Sequence, residues 1–87
     1  MARFHFHLQT PAPETDDTGS EQAGLEAAKR HALKLMALTL EARPDRFWET
    51  GVCRMTVADD TGVPLYIVTV QAVLPKALAS LAGRLAT

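Results

Sequence analysis

The sequence predicts an α+β fold of order β-α-β-β: one long helix crosses one face of a three-stranded antiparallel sheet, and a short C-terminal helix follows. Three observations carry this expectation. Residues Ser20 to Ala42 place Leu25, Ala28, Ala32, Leu35, Met36 and Thr39 on one face at about 100° per residue. Arg3 to Gln9 alternates strictly between apolar and polar. Asp59-Asp60-Thr61-Gly62 separates two further strand-like runs and suits a type I turn closed by glycine at positive φ.

Taken in order, the first strand turns Phe4, Phe6 and Leu8 one way and Arg3, His5, His7 and Gln9 the other. Thr10 to Gly19 reads as a loop, because two prolines and an Asp-Asp-Thr-Gly run oppose regular structure. The helix begins either with Ser20 as N-cap or with Gly24 as a weaker one. It ends near Ala42, since Pro44 disfavours helical geometry at Arg43. Asp45 to Gly51 is a connection with room for one helical turn, its Phe47 and Trp48 closing an end of the core.

The second strand, about Val52 to Ala58, carries Cys53, Met55 and Val57 on one face. The third, Val63 to Val70, is apolar on both faces, which points to the sheet's centre and a spatial order 2-3-1. Whether Tyr66 or Ile67 turns to the helix depends on the hairpin register, and both remain open. Pro75 then opens a short helix to about residue 86, with Leu78, Leu81 and Leu85 on one face. The expected core is Phe4, Phe6, Leu25, Ala28, Ala32, Leu35, Met36, Met55 and Val57.

Composition bounds the rest. At 87 residues the chain makes one domain, able to bury roughly 60–65 % of its unfolded surface. Its 47 % hydrophobic content disfavours disorder. A net charge of −1 and a pI near 6.3 give no electrostatic footprint for nucleic acid or an anionic membrane. One cysteine, Cys53, excludes an internal disulfide. No run approaches the ~20 apolar residues of a membrane span. MARFHFHL has no apolar h-region of a signal peptide, so the expected compartment is the cytoplasm.

The elements in this order resemble a family of small bacterial domains of unknown function. Those domains open with an R-Y-F-F-H-L strand and continue through a D-E-E-G-x-E loop, an L-E-A-A-R helix and a W-R-I-E-V-x-D-x-D-G hairpin. The matching residues are Arg3-Phe4-His5-Phe6-His7-Leu8, Asp16-Asp17-Thr18-Gly19-Ser20-Glu21, Leu25-Glu26-Ala27-Ala28-Lys29, and Arg54-Met55-Thr56-Val57 leading into Asp59 and Gly62. The resemblance spans about positions 2 to 70. Cys53 stands where the family usually carries tryptophan, and Thr10-Pro11-Ala12-Pro13 replaces an Asp-Gly turn. The resemblance implies a fold and a bacterial origin, and no activity.

No residue pattern announces a chemistry. His5 and His7 lie on one strand face, about 7 Å apart at ~3.3 Å rise per residue. That spacing can chelate a metal, but no further ligand lines up, so neither a metal nor any other cofactor is expected. Cys53 and His31 are the types of a nucleophile and its base, with no third group to orient them; a buried, inert cysteine is the simpler reading. Glu14, Asp16 and Asp17 lack the alternating ligands of a calcium loop. Arg3, His5, His7 and Arg54 make a mildly basic solvent face without the charge excess or aromatic platform of a nucleic-acid binder.

The expectation is therefore a non-enzymatic interaction module acting as a homodimer or larger. The alternatives are a small-ligand or metal-binding domain using the His5/His7 face, and a small nucleic-acid-binding regulator of antitoxin type. Two apolar surfaces are candidate interfaces. One is the open sheet face, where His5, His7 and Arg54 flank Val63, Leu65 and Ile67 if Tyr66 turns inward. The other is a helix flank of Leu33, Ala37 and Leu40. A ~20-residue helix of ~30 Å over ~20 Å strands would overhang the sheet by about two turns and expose that flank. Sheet face, strand edge and helix flank all stay open, with the sheet face slightly preferred.

Overall fold

The structure, a computed structural model, describes residues 1–75. The expected C-terminal helix with Leu78, Leu81 and Leu85 lies outside the described residues. Seven elements follow in order: β1 (Ala2–Gln9), β2 (Pro13–Glu14), β3 (Ser20–Gln22), α1 (Leu25–Ala42), α2 (Pro44–Thr50), β4 (Val52–Asp59) and β5 (Pro64–Gln71). The fold is α+β with every strand pair antiparallel. Among the described residues no helix is long and apolar enough to cross a membrane.

The sheet corrects two expectations. It has five strands rather than three, and its order is β2-β1-β4-β5 with β3 also on β1. The first two expected strands are thus neighbours, and the third, β5, stands at the edge instead of the centre. Its apolar residues suggested a position buried on both sides, yet all of them but the half-buried Val68 are exposed. The extra strands come from segments too short and polar to show a period. Pro13–Glu14 folds back on Leu8 and Gln9, so the Thr10 to Gly19 stretch is not all loop. Ser20–Gln22 pairs with Ala2 to Phe4, so Ser20 is a strand residue and not the helix cap.

The helix starts at Leu25 from Gly24, whose carbonyl accepts the Ala28 N–H at 3.0 Å. Ala28, Ala32 and Met36 are its buried residues. The two alanines on this face let the helix axis sit close to the sheet. They pack with Phe4, Phe6, Phe47, Cys53, Met55 and Val57 into one core, with Leu8, Leu35, Leu40 and Val68 partly buried against it. Leu25, expected in the core, is 38 % exposed, because the helix takes the later of the two expected starts and begins with it. Leu35 keeps its place only as a half-buried neighbour of the core.

At 18 residues the helix spans about 27 Å, and the eight-residue strands β1 and β4 span about 26 Å. The expected overhang therefore disappears. Pro44 stands in the first turn of α2, which ends on Gly51 at φ 71°, whose N–H closes on the Phe47 carbonyl at 2.7 Å. Phe47 is buried, but Trp48 is 68 % exposed and leans edge-on against it. Only one of the two aromatics closes the core.

Candidate functional site

Between its two short partners, the outer edge of β1 is left open at His5, Phe6 and His7. The loop from Thr15 to Gly19 fills this gap through one residue. The Asp16 carboxylate accepts the backbone N–H of Phe6 and of Gly19, each at 3.0 Å. Its own N–H donates to His7 Nδ1 at 3.0 Å, and its carbonyl oxygen lies 2.8 Å from His5 Nδ1. Asp16 thus stands in for the strand partner that β1 lacks there. Burial pushes its carboxyl upward, but the Gly19 and Phe6 N–H groups outweigh that and hold it below the usual carboxylate range. Gly19 takes φ +75°, and a Cβ there would fall 2.9 Å from both Arg3 Cγ and His5 Cε1. The turn therefore requires glycine.

His5 is held at both nitrogens. Nδ1 meets the Asp16 carbonyl, and Nε2 lies 3.1 Å from Asp60 Oδ1. Both partners are acceptors, so the two contacts favour the imidazolium form, which carries hydrogen on both nitrogens. The bond to the Asp16 carbonyl first, and then the one to Asp60, raises the His5 pKa. His7 has the opposite role, because its Nδ1 accepts the Asp16 N–H and so carries no proton. The two rings stack 6.2 Å apart. Asp60 belongs to the β4–β5 turn, where Asp59 Oδ1 accepts from the Thr61 N–H, the Thr61 hydroxyl and the Val63 N–H. The Thr61 hydroxyl and then the Val63 N–H hold the Asp59 carboxyl below its ordinary range.

These bonds decide what the histidine face can do. Part of the expected basic surface is neutralised: Arg3 is paired with Glu21 at 3.2 Å and His5 with Asp60, while Arg54 stays exposed on the same side. Asp16, Asp17, Asp59 and Asp60 line the same open depression as the two histidines. Among the described residues, no group of three or more His, Cys, Asp or Glu side chains is arranged to hold a metal ion. Cys53 is fully buried, and the His31 ring sits edge-on to Phe6 at 4.8 Å. Among the described residues no hydrogen bond joins the two.

The hairpin register resolves the open question of β5. Val57 pairs with Tyr66, Met55 with Val68 and Cys53 with Val70, while Thr56 pairs with Ile67 and Arg54 with Thr69. Residues opposite one another share a face, so Tyr66, Val68 and Val70 take the helix side. Lys29 Nζ lies 4.8 Å above the Tyr66 ring, and Glu26 first, then Tyr66, raises its pKa. Ile67 joins His7 and Thr56 in one row across the histidine side. Val63, Leu65 and Ile67 do not form the single stripe expected, because a bulge falls between Val57 and Ala58. Leu65 is the extra residue there, and Val63 falls back beside Asp59 on the other parity.

Even so, β5 is bare. Leu65 is 39 % exposed, Tyr66 41 %, Ile67 60 % and Val70 36 %, and Val63 just before the strand is 52 % exposed. On the helix flank, Leu33 is 57 % exposed and Ala37 is exposed, whereas Leu40 packs against the core. That flank is therefore two residues, not a stripe of three. Nothing in the sequence marks Asp16 as the plug of β1 or Asp60 as the partner of His5. The only signal was the Asp-x-x-Gly spacing of Asp16 and Gly19, which marks a turn without saying what it closes.

A family model described as a domain of unknown function, DUF6894, matches residues 3–71. No curated protein and no solved structure matches the chain.

Proposed function

The chain belongs to the DUF6894 family of domains of unknown function, and we propose that it is a non-enzymatic interaction module that assembles with itself. One observation carries this reading: β5 is the most apolar strand, and it lies exposed on both faces at the edge of the sheet. Contiguous apolar surface of this kind marks interfaces in soluble proteins. The side chains that chemistry would need are engaged elsewhere. His5 and His7 hold the Asp16 loop in place, and Cys53 is sealed in the core.

A closed two-fold dimer is the simplest assembly. Light scattering across a dilution series tests the reading. The expected result is a mass near twice the 9.4 kDa of one chain that falls towards it on dilution. A mass of 9.4 kDa at every concentration overturns it.

A further inference from the structure

We propose that two copies pair antiparallel along β5, edge to edge and centred on Val68, to continue the sheet across a two-fold axis. This deepens the self-association reading and rests on it. The Ala72 N–H donates to the Gly51 carbonyl at 2.8 Å, which fixes the phase of hydrogen bonding between β4 and β5. Stepping by two, Val70, Val68 and Tyr66 direct their N–H and C=O groups to β4. Ile67, Thr69 and Gln71 direct theirs outward. Among the described residues no strand pairs with that edge.

The second copy is the occupant because the strand is self-complementary. An axis at Val68 sets Ile67 against Thr69 of the partner subunit, as a hydrogen-bonded pair of two outward residues. The axis repeats the pair, making four main-chain bonds. Tyr66 then faces Val70 of the partner subunit on the helix side, an aromatic against a β-branched residue. Leu65 falls beside Gln71 of the partner subunit, so the strand is used from its bulge to its end.

Charge permits this arrangement. Thr61 to Pro75 contains no ionisable side chain except the Tyr66 phenol, so the axis brings no like charges together. Of the two cations near β5, Lys29 is already paired with Glu26 at 3.3 Å, and Arg54 stands one strand further in, beside Thr69. Exposed edges are commonly guarded by lysine or a central proline. Here Pro64 guards only the first position of β5, and the bulge stops at Leu65. One strand edge is small beside the ~1,200 Å² of a stable interface, so the dimer is expected to dissociate on dilution.

Cysteine cross-linking of the full chain tests the geometry. Val68 and Val68 of the partner subunit would form a non-hydrogen-bonded pair with Cα atoms about 4.5 Å apart, within the ~4.4–6.8 Å reach of a disulfide. Val68→Cys should therefore oxidise to a covalent dimer. Leu33→Cys, on the exposed helix flank, should not, and native Cys53 is buried. Cross-linking at Leu33→Cys but not Val68→Cys, or a dimeric mass with neither cross-link, overturns the edge pairing and leaves self-association standing. A monomeric mass with no cross-link overturns both. A monomer whose Ile67, Thr69 and Gln71 amides exchange slowly also overturns it, since the chain would then cover its own edge.

Discussion

Asp16 makes four hydrogen bonds that hold a ten-residue excursion of chain against the one stretch of β1 without a strand partner. Removing its carboxylate leaves the Phe6 N–H without an acceptor, with water able to reach it only in part. Asp16→Ala is therefore expected to cost about 1–2 kcal/mol, read as a lower urea midpoint at unchanged slope. The flanking His5 makes the same loop sensitive to pH. His5 has a raised pKa, so its contribution is complete below the ordinary 6.5 and is lost as pH climbs through the folded value. Asp16 has a lowered pKa, so its contribution is present above the ordinary 3.8 and is lost as pH falls through its folded value. Stability from this cluster is thus greatest between those two values and declines on the alkaline side. Asp60→Asn should lower the His5 midpoint seen by ring-proton NMR and flatten that decline. A His5 midpoint at or below 6.5 in the native chain would contradict the doubly donating ring.

Among the elements, legibility followed the length of the periodic signal. Seven residues of strict alternation place Phe4 and Phe6 inside and the histidines outside, and the structure keeps that division. The stripe of Ala28, Ala32 and Met36 and the turn closing on Gly62 at φ 89° are also as expected. What escaped was short or positional. Ser20-Glu21-Gln22 has no apolar residue to show an inward face, so its pairing with β1 left no trace in the sequence. The sequence favours a central β5 because apolar residues on both faces usually mean burial within the chain. For α1 the consequence is a sharp contrast between two residues three apart. Met36→Ala, at 2 % exposure, should cost about 2–5 kcal/mol, whereas Leu33→Ala, at 57 % exposure, should stay within about 0.5 kcal/mol. Equal losses at the two positions in denaturant titrations would show that the helix face has been assigned wrongly.

At the scale of the whole molecule, the fold is stabilised on one side of the sheet and left open on the other and at one edge. Core side chains come from β1, β4, α1 and α2, and β5 contributes only the partly buried Val68. A strand so placed can change without much consequence for folding, yet the proposed association depends on it. Ile67 separates the two effects. It is 60 % exposed, shares a row with His7 and Thr56, and directs its main-chain groups outward. Ile67→Lys keeps the outward N–H and C=O but sets two like charges close together across the proposed axis, and lysine is a natural guard of strand edges. The variant should unfold within about 0.5 kcal/mol of the native chain while its light-scattering mass moves to that of the monomer. An unfolding midpoint that drops together with the mass, when both are measured below the dimer's dissociation range, would instead show that β5 belongs to the core of the single chain.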